Sequence, residues 1–288
     1  MPPEEPDPPD VVAPELTERE KEEAEERTSV RATVVHETVR YDGEEELHRP
    51  VSALAWSGLA AGMSMGFSLV AMALFRAYLP DRPWRMLIAR IGYPMGFLIV
   101  IIARQQLFTE NTLTAMIPLL ARRDLKTLVR VIRLWTVVLV ANLAGAHLFA
   151  WAVAATPVFL PEVRSAMLAL AREAAAVTFG EAVLRGIFAG WLIAMVVWML
   201  AAIDTGRIAV IVFMTYIVGL ASFTHIIAGS VEVLFLVMAG AKSWGAVALG
   251  YMLPTLIGNI IGGVSLTAAI NHAQAVAGRA AKKAPEAL

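Results

Sequence analysis

Two short polar stretches interrupt long apolar segments of the chain, and they hold the side chains best placed to do chemistry. The first reads Leu107-Phe108-Thr109-Glu110-Asn111 and the second reads Ser222-Phe223-Thr224-His225. Polar backbone and ionisable groups at membrane depth are costly unless they face a cavity or partners within the protein. Two such interruptions at matching positions of two halves are typical of a central permeation or binding site. The sequence therefore predicts a membrane channel or transporter.

His225 is the side chain on which a transport mechanism would depend most. Imidazole gains or loses a proton near neutral pH. A small anion is expensive in an apolar pore whereas its protonated acid is not, so a histidine that attracts the anion and donates a proton would lower the barrier. A purely structural histidine bonded to a helix end is the alternative, and only the repeat described below favours transport. His147 is interpreted as structural or interfacial.

Other residues of the two stretches would line the same pathway. Thr109 and Thr224 can offer hydroxyl groups to a passing ion or bond back to a carbonyl. Hydrophobic constrictions are predicted at Leu107, Phe108 and Phe223, although packing also calls for apolar residues there. The side chains expected to tune the charge of the pathway are Arg104, Gln106, Glu110 and Glu232. We expect Arg104 to pair with Glu110 or Glu232.

The composition separates a membrane body from an acidic tail. The 288 residues are 58% hydrophobic and 17% charged, with a mean hydropathy of +0.63, whereas soluble domains are about 25% charged. Of the 25 acidic residues, 16 lie in residues 1–50. We expect a cytoplasmic tail over 1–50, partly disordered and partly helical, a transmembrane domain over 51–271 and a short cytoplasmic tail over 272–288.

Nothing in the sequence indicates an enzyme. There are no cysteines, and we find no phosphate-binding glycine loop, metal-spaced cluster or nucleophile–base pair. We therefore expect no catalytic residue, no cofactor, no metal and no nucleic-acid partner. The expected partners are membrane lipid and a small anion or weak acid.

Six apolar segments are long enough to cross a hydrocarbon core of roughly 30 Å. Their approximate bounds are 52–78, 86–120, 131–155, 181–203, 207–239 and 244–270. The second and fifth are too long for one simple helix, so each is predicted to consist of two half-helices around a polar stretch. An amphipathic surface helix is predicted over 161–178.

Basic residues in the short loops predict the orientation. The loop after the second segment holds the densest basic cluster of the body: Arg122, Arg123, Lys126, Arg130 and Arg133. Placing this loop in the cytoplasm puts both termini there, because six crossings return the chain to its starting side. We expect a multi-pass protein of the cell (inner) membrane.

Three pairs of anchors predict an internal repeat. They are Gly58–Gly62 with Gly186–Gly190, Phe108-Thr109 with Phe223-Thr224, and Asn142–Gly145 with Asn259–Gly262. Each half has three crossings, an odd number, so the halves would lie in opposite orientations, as an inverted 3+3 repeat. The glycines alone are also explained by close helix packing. Asn142 and Asn259 are predicted to support the broken helices by bonding their free backbone groups.

These residues resemble the formate/nitrite transporter family over about 50–270. The resemblance is carried by Leu107-Phe108-Thr109, Thr224-His225, Trp198-Met199 and Gly258–Gly263, and residues 103–111 resemble its YfdC-like inner-membrane branch. It implies an aquaporin-like six-helix protomer with broken helices 2 and 5, a homopentamer, and one pore per protomer for small monovalent anions. It also implies that Thr109 and His225 flank the central site.

The sequence departs from that family near the predicted pathway. The family usually has an acidic residue at Gln106, a small residue at Arg104, Glu at Thr224 and Asn at Gly229. Because these changes alter the charge of the pathway, two alternatives stay open: a channel for a neutral solute or weak acid, and a non-transporting membrane scaffold or sensor whose acidic tail binds a partner.

Overall fold

Five helices in the described part of the chain are long and apolar enough to cross a membrane. A computed structural model describes residues 17–21 and 30–283, with side chains described as far as residue 277. The five are Val51–Tyr78, Arg85–Ile102, Leu125–Ala155, Phe179–Ala202 and Trp244–Ala277. Two shorter apolar helices, Arg207–Leu220 and Ala228–Met238, lie between the fourth and the fifth. The prediction of an all-helical membrane protein is confirmed at this level.

The helices are numbered in chain order. The first six are α1 (Ala32–His48), α2 (Val51–Tyr78), α3 (Arg85–Ala89, followed by a 3-10 turn at Arg90–Gly92), α4 (Pro94–Ile102), α5 (Phe108–Thr114) and α6 (Met116–Arg122). The next five are α7 (Leu125–Ala155), α8 (Pro161–Ala174), α9 (Phe179–Ala202), α10 (Arg207–Leu220) and α11 (Ala228–Met238). The last helical run is α12 (Trp244–Val247), α13 (Leu253–Ile261) and α14 (Ile270–Lys283), joined by π-helical turns at Ala248–Met252 and Gly262–Ala269.

Several predicted bounds differ from those of the structure. The third apolar segment begins at Leu125 instead of 131, because Asp124 caps the helix by accepting a hydrogen bond from the Thr127 backbone N–H at 2.8 Å. The amphipathic helix α8 ends at Ala174 instead of 178, since Thr178 and Glu181 form the capping box that starts α9. The last helical run continues through residue 271 to Lys283.

Glycines allow two pairs of long helices to approach closely. At Gly62 on α2, a Cβ atom would overlap the backbone carbonyl of Asn142 on α7. At Gly190 on α9, a Cβ atom would overlap the carbonyl of Asn259 on α13 in the same way. Small residues at such contacts are the usual means of packing helices in membranes, where lipid removes the hydrophobic driving force. The contacts place both asparagines in the interior.

Helix α1 packs onto the membrane helices. Val39 is fully buried among apolar residues of α5, α6, α9 and the last helical run. The His36 Nε2 atom lies 2.9 Å from Nδ1 of His272 on α14. Residues 32–48 of the segment 1–50 therefore belong to the same compact unit as the membrane helices.

The N-terminal unit, Met1–Arg31, is described only in part. In it, Thr17 and Glu20 bond reciprocally: the Thr17 N–H donates to Glu20 Oε2 at 2.8 Å and the Glu20 N–H to Thr17 Oγ1 at 3.4 Å. Residues 1–16 and 22–29 of the tail, which is predicted to be partly disordered, lie outside the described residues.

Candidate functional site

Helices α4 and α10 end in the same backbone turn. At the end of α4, the N–H of Arg104 donates to Ile101 O and that of Gln105 to Val100 O. At the end of α10, the N–H of Ser222 donates to Gly219 O and that of Phe223 to Val218 O. In both turns a non-glycine residue has a left-handed conformation: φ is 52° at Arg104 and 53° at Ser222.

One asparagine holds each turn through the same three hydrogen bonds. Asn142 Oδ1 accepts from the Phe108 N–H at 2.9 Å, while its Nδ2 donates to Gly58 O at 2.7 Å and Gln106 O at 2.8 Å. Asn142 and its counterpart in the second turn, Asn259, are both completely buried, so these bonds satisfy polar groups that water cannot reach.

Asn259 makes the same contacts in the second half. Its Oδ1 accepts from the Ile226 N–H at 2.8 Å, and its Nδ2 donates to Gly186 O and Thr224 O, both at 2.9 Å. Asparagine and glycine therefore recur in the register predicted from the sequence.

These bonds give the two polar stretches a different register from the predicted one. Gln106 corresponds to Thr224 and Phe108 to Ile226, so Leu107 corresponds to His225. The predicted pairing of Phe108-Thr109 with Phe223-Thr224 is wrong by three residues. The helix-end turns and the asparagine bonds determine which residues of the two stretches are equivalent. The Phe-Thr pair that the two stretches share takes part in neither set of bonds in the same way.

His225 is buried and connects the second polar stretch to the first. Its ring is 1% exposed, and Nε2 lies 2.9 Å from Oγ1 of Thr109. Its Nδ1 accepts hydrogen bonds from the N–H groups of Ile227 and Ala228, both at 3.2 Å, and so caps the start of α11. Because Nδ1 is an acceptor, we assign the ring hydrogen to Nε2, which donates to Thr109 in a neutral imidazole.

The residues predicted to form constrictions lie in different surroundings. Leu107 and Phe108 are buried, and Phe108 packs edge-to-face on Trp135 with ring centroids 5.8 Å apart. Phe223 is half-buried and stacks on Phe188, at a centroid distance of 5.2 Å. The ring nearest to the imidazole is one that the sequence did not single out: Phe97, at 5.0 Å in a T-shaped contact.

Thr224 is held by α9. Its hydroxyl donates to the Ala182 carbonyl at 2.7 Å. The two threonines named from the sequence therefore differ, since Thr109 contacts the imidazole and Thr224 bonds to the neighbouring helix.

A cavity reaches His225 from the side of the molecule on which α8 lies. Its volume is about 40 Å³, measured as the space that the centre of a water molecule can occupy. Its lining includes Phe223, Thr224, His225 and Glu232, together with Arg90, Tyr93 and Tyr251. The last three were missed from the sequence because they lie outside the polar stretches. A weak signal existed, since Arg90, Tyr93 and Phe97 follow one another at helical spacing.

The charge-tuning residues do not form one cluster. Arg104 is exposed, and no ion pair joins it to Glu110 or Glu232 within the described residues, so the predicted pairing is wrong. A neighbour that its charge does influence is Asp42 of α1, whose pKa is raised by burial and lowered to a lesser extent by Arg104. Glu232 is buried in the wall of the cavity.

The other two charge-tuning residues lie in the first break. Gln106 is buried, accepts from Asn111 Nδ2 at 3.1 Å and donates its backbone N–H to Ser57 Oγ at 3.0 Å. One buried carboxylate oxygen of Glu110 has no hydrogen-bond partner within the described residues. Neither side chain lines the cavity on the α8 side.

Comparisons with known proteins agree on one family. The family model described as formate/nitrite transporter matches residues 33–273. The inner membrane protein YfdC of Escherichia coli (strain K12) is 44% identical over 250 residues, which are 87% of this chain and 81% of that protein.

Two solved structures share the fold. A pentameric formate channel with formate bound has a TM-score of 0.65 at 20% identity, over 82% of this chain and 99% of that one. An FNT family ion channel has a TM-score of 0.67 at 16% identity, over 83% and 94%.

Proposed function

Because the chain belongs to the formate/nitrite transporter family, we propose that it is a membrane channel for small monovalent anions of the formate and nitrite type. The observation that carries the proposal is the bond between Thr109 and His225, which joins the two polar breaks at the end of an open cavity. The pathway would pass this bond. Formate is the ligand of one structural neighbour, which supports small anions as the substrate class.

The proposed architecture is six crossings arranged as an inverted 3+3 repeat. The second crossing would be α3 to α6, broken at 103–107, and the fifth would be α10 and α11, broken at 221–227. The matched bonds of Asn142 and Asn259 support two equivalent halves. A homopentamer is supported by the pentameric neighbour, and location in the inner membrane by the E. coli relative.

We place both termini in the cytoplasm. The basic loop between α6 and α7 is the support for this orientation. Because the chain has no cysteine, single-cysteine variants at Lys126 and Ser243 can be labelled from one side of the membrane at a time. Labelling of Ser243→Cys alone from outside intact cells is the expected result.

His225 would act as a hydrogen-bond donor to the permeating species. An anion could take the place of the Thr109 hydroxyl and accept the hydrogen bond of His225 Nε2–H. The hydrogen bonds at His225 Nδ1 would not change. Protonating the ring to imidazolium would require the N–H groups of Ile227 and Ala228 to lose their acceptor. A donor role is therefore favoured over the proton-donating role first predicted for this residue.

The test is flux into proteoliposomes that contain the purified protein. We expect His225→Ala to lower formate or nitrite flux by roughly three- to tenfold, since one hydrogen bond contributes about 0.5–1.5 kcal/mol. His225→Asn, which can still donate, should retain more flux than alanine. His147→Asn is the control, because His147 packs on Trp244, with ring centroids 5.4 Å apart, away from the cavity. Wild-type flux in His225→Ala would refute the role of the imidazole.

A channel for a weak acid or neutral solute is the second candidate. The buried carboxyl of Glu232 favours it, because a carboxylate beside the pathway repels a passing anion. Flux of neutral solutes measured beside formate, nitrite and lactate separates the candidates. A non-transporting scaffold or sensor is the third candidate: Arg104 is exposed and does not line the cavity on the α8 side, and absence of flux of every solute in the same assay would favour this candidate.

A further inference from the structure

A groove runs over the surface between α2 and α7. It is lined by Ala55, Trp56, Leu59, Thr136, Val137, Val140, Ala141 and Ala144. Its volume is about 460 Å³, measured in the same way as that of the cavity that reaches His225. Trp56 of α2 and Val140 of α7 are 73% and 62% exposed and stand on its two sides. Because Thr136 is the one hydroxyl-bearing residue of the lining, the groove fits a hydrocarbon chain.

A row of cations continues the α7 side of this groove. Val137 and Ala144 follow Lys126, Arg130 and Arg133 along α7 at intervals of three, four or seven residues. Residues at these intervals lie on one face of a helix. The groove begins one turn after the last cation, a rise of about 6 Å. The same face of α7 is therefore cationic near the start of the helix and apolar beyond it.

Two of the cations also lie on the α2 side of α7. Arg133 Nη2 donates to the carbonyl groups of Leu47 and Arg49, at 2.8 and 3.3 Å. Arg130 Nη1 lies 2.7 Å from Nε2 of His48. These three partners directly precede α2, whose first turns line the groove. Both guanidinium groups are therefore at the end of the groove that is nearest to the start of α2.

Within the described residues, none of the three cations forms an ion pair. The nearby acids have other partners: Glu46 pairs with Arg49 at 3.2 Å, and Glu44 pairs with Arg122 at 2.7 Å. Asp124 caps α7 by accepting from the Thr127 N–H at 2.8 Å. The imidazole and the carbonyl groups that contact the two arginines carry no full negative charge. The end of the groove is therefore positively charged and able to bind an anion.

We propose that this groove is a binding site for an anionic phospholipid. The phosphate of the lipid binds Arg130 and Arg133, and an acyl chain lies along the groove beside Trp56. Guanidinium groups bind phosphate oxygens through paired hydrogen bonds. In the proposed orientation the cations face the cytoplasmic leaflet, in which anionic lipids are found. The inference goes beyond the proposed channel function and does not depend on it.

A second copy of the membrane domain matches this site less well than a lipid does. A second copy would have to bring a carboxylate to the cations, and residues 51–288 hold nine of the 25 acidic residues. One of the nine, Asp124, already caps its own helix. A phospholipid presents its phosphate and its hydrocarbon in the same order as the cations and the groove. It is also present around every copy of the chain.

Fluorescence quenching of Trp56 measures what occupies the groove. The full chain is placed in phosphatidylcholine bilayers that contain a minor fraction of lipid with brominated acyl chains, either phosphatidylglycerol or phosphatidylcholine. Bromine quenches an indole ring that it contacts. Because the chain has seven tryptophans, the contribution of Trp56 is the difference between the wild type and Trp56→Phe. We expect brominated phosphatidylglycerol to quench Trp56 at a roughly 25-fold lower fraction than brominated phosphatidylcholine, at about fivefold for each arginine.

Charge variants test the binding of the phosphate. Arg130→Gln and Arg133→Gln should each lower the preference for phosphatidylglycerol about fivefold, and the double variant should abolish it. Arg133 also holds two carbonyl groups, so Arg133→Lys keeps the charge while it disturbs those bonds, and it should retain most of the preference. Arg207→Gln is the matched control, because Arg207 donates to Leu200 O at 2.9 Å and does not line the groove.

A filled groove tests the binding of the acyl chain. Ala144 is exposed and lines the groove, so Ala144→Phe narrows it without any change of charge. Quenching of Trp56 by brominated phosphatidylglycerol should fall several-fold in this variant. Size-exclusion profiles show whether each variant still assembles.

Three results would overturn the lipid site. Equal quenching of Trp56 by the two brominated lipids would mean that the groove does not select an anionic headgroup. An equal loss of preference in Arg207→Gln and Arg130→Gln would assign the effect to general surface charge. If neither lipid quenches Trp56, another copy of the chain covers the groove. None of these results bears on anion flux, so the proposed channel function is tested separately.

Discussion

Replacing either buried asparagine should destabilise the protein by a similar amount. Asn142 and Asn259 each bond one backbone N–H and two backbone carbonyls, at 2.7–2.9 Å in every case. Alanine removes all three bonds at once, and the released groups have no water within reach because both sites are fully buried. The cost falls on the polar breaks, since two of the three bonds in each set join a residue of a break or the residue directly after it.

The magnitude follows from the bond count. Hydrogen bonds between membrane helices contribute about 0.6 kcal/mol on average and at most about 1.7 kcal/mol. Three bonds therefore give a destabilisation of roughly 2–5 kcal/mol for Asn142→Ala, and the same for Asn259→Ala. Asn→Asp should cost at least as much, because the carboxylate loses both donors and brings a charge into the interior.

The assay is reversible denaturation of the purified protein in mixed detergent micelles, followed by helix content. Asn271→Ala is the control, since the one hydrogen-bond contact of the Asn271 amide with the described residues is at 3.9 Å, with Met195 Sδ. Its cost should stay below about 0.5 kcal/mol, the usual range for a substitution away from a buried network.

The equivalence of the two sites is what the measurement can refute. A loss below about 1 kcal/mol at both sites would mean that the bonds do little. A large loss at one site and none at the other would refute the correspondence of the two halves, including the equivalence of Leu107 with His225.

Two further predictions concern a contact at the cavity and the docking of α1. Gly229→Ala should lower both the thermal stability and the formate flux, because a Cβ atom there would overlap the Tyr251 hydroxyl. Adding Tyr251→Phe to the same chain should recover part of both losses. If the double variant recovers neither, this contact is not the cause. Burial raises the pKa of Glu46 on α1, and the nearby charge of Arg49 only partly opposes this shift. The packing of α1 is therefore more stable when Glu46 is protonated, and this stability is lost as pH rises through the pKa of Glu46 in the folded state. Glu46→Gln should therefore slow amide exchange of residues 32–48 a few-fold at pH 7 and make no difference in acid, and an equal effect at both pH values would contradict the sign.

The sequence was sufficient for the features that depend on lipid. Apolar length predicted the five helices that are long enough to cross a membrane, because hydrocarbon imposes that length on the chain itself. The resemblance to the formate/nitrite transporter family and to its YfdC-like branch is confirmed. Asn142 and Asn259 could be found because an amide at membrane depth needs partners, and backbone groups at the two polar stretches supply them.

What the sequence missed depends on three-dimensional neighbours. Arg90 was passed over because a single cation inside an apolar run gives no indication of which carboxylate it meets. The pairing of Arg104 failed because the left-handed turn that exposes it is set by backbone hydrogen bonds and leaves no mark on residue type. The register of the repeat failed for the same reason.

The corrected register places the asymmetry of the molecule at one pair of positions. Leu107 and His225 follow the same type of turn, and each lies next to residues that are bonded to an asparagine. Leu107 is apolar, whereas the His225 ring accepts hydrogen bonds from the start of α11 and donates one to Thr109. The second half therefore supplies the polar group, and the first half supplies Thr109 to receive it. An imidazole on each side would bring two costly polar groups into the constriction, and a leucine on each side would leave the centre without a donor. The asparagine bonds recur at both stretches, and the difference between leucine and histidine at this one position gives one of the two stretches a polar side chain that reaches the other.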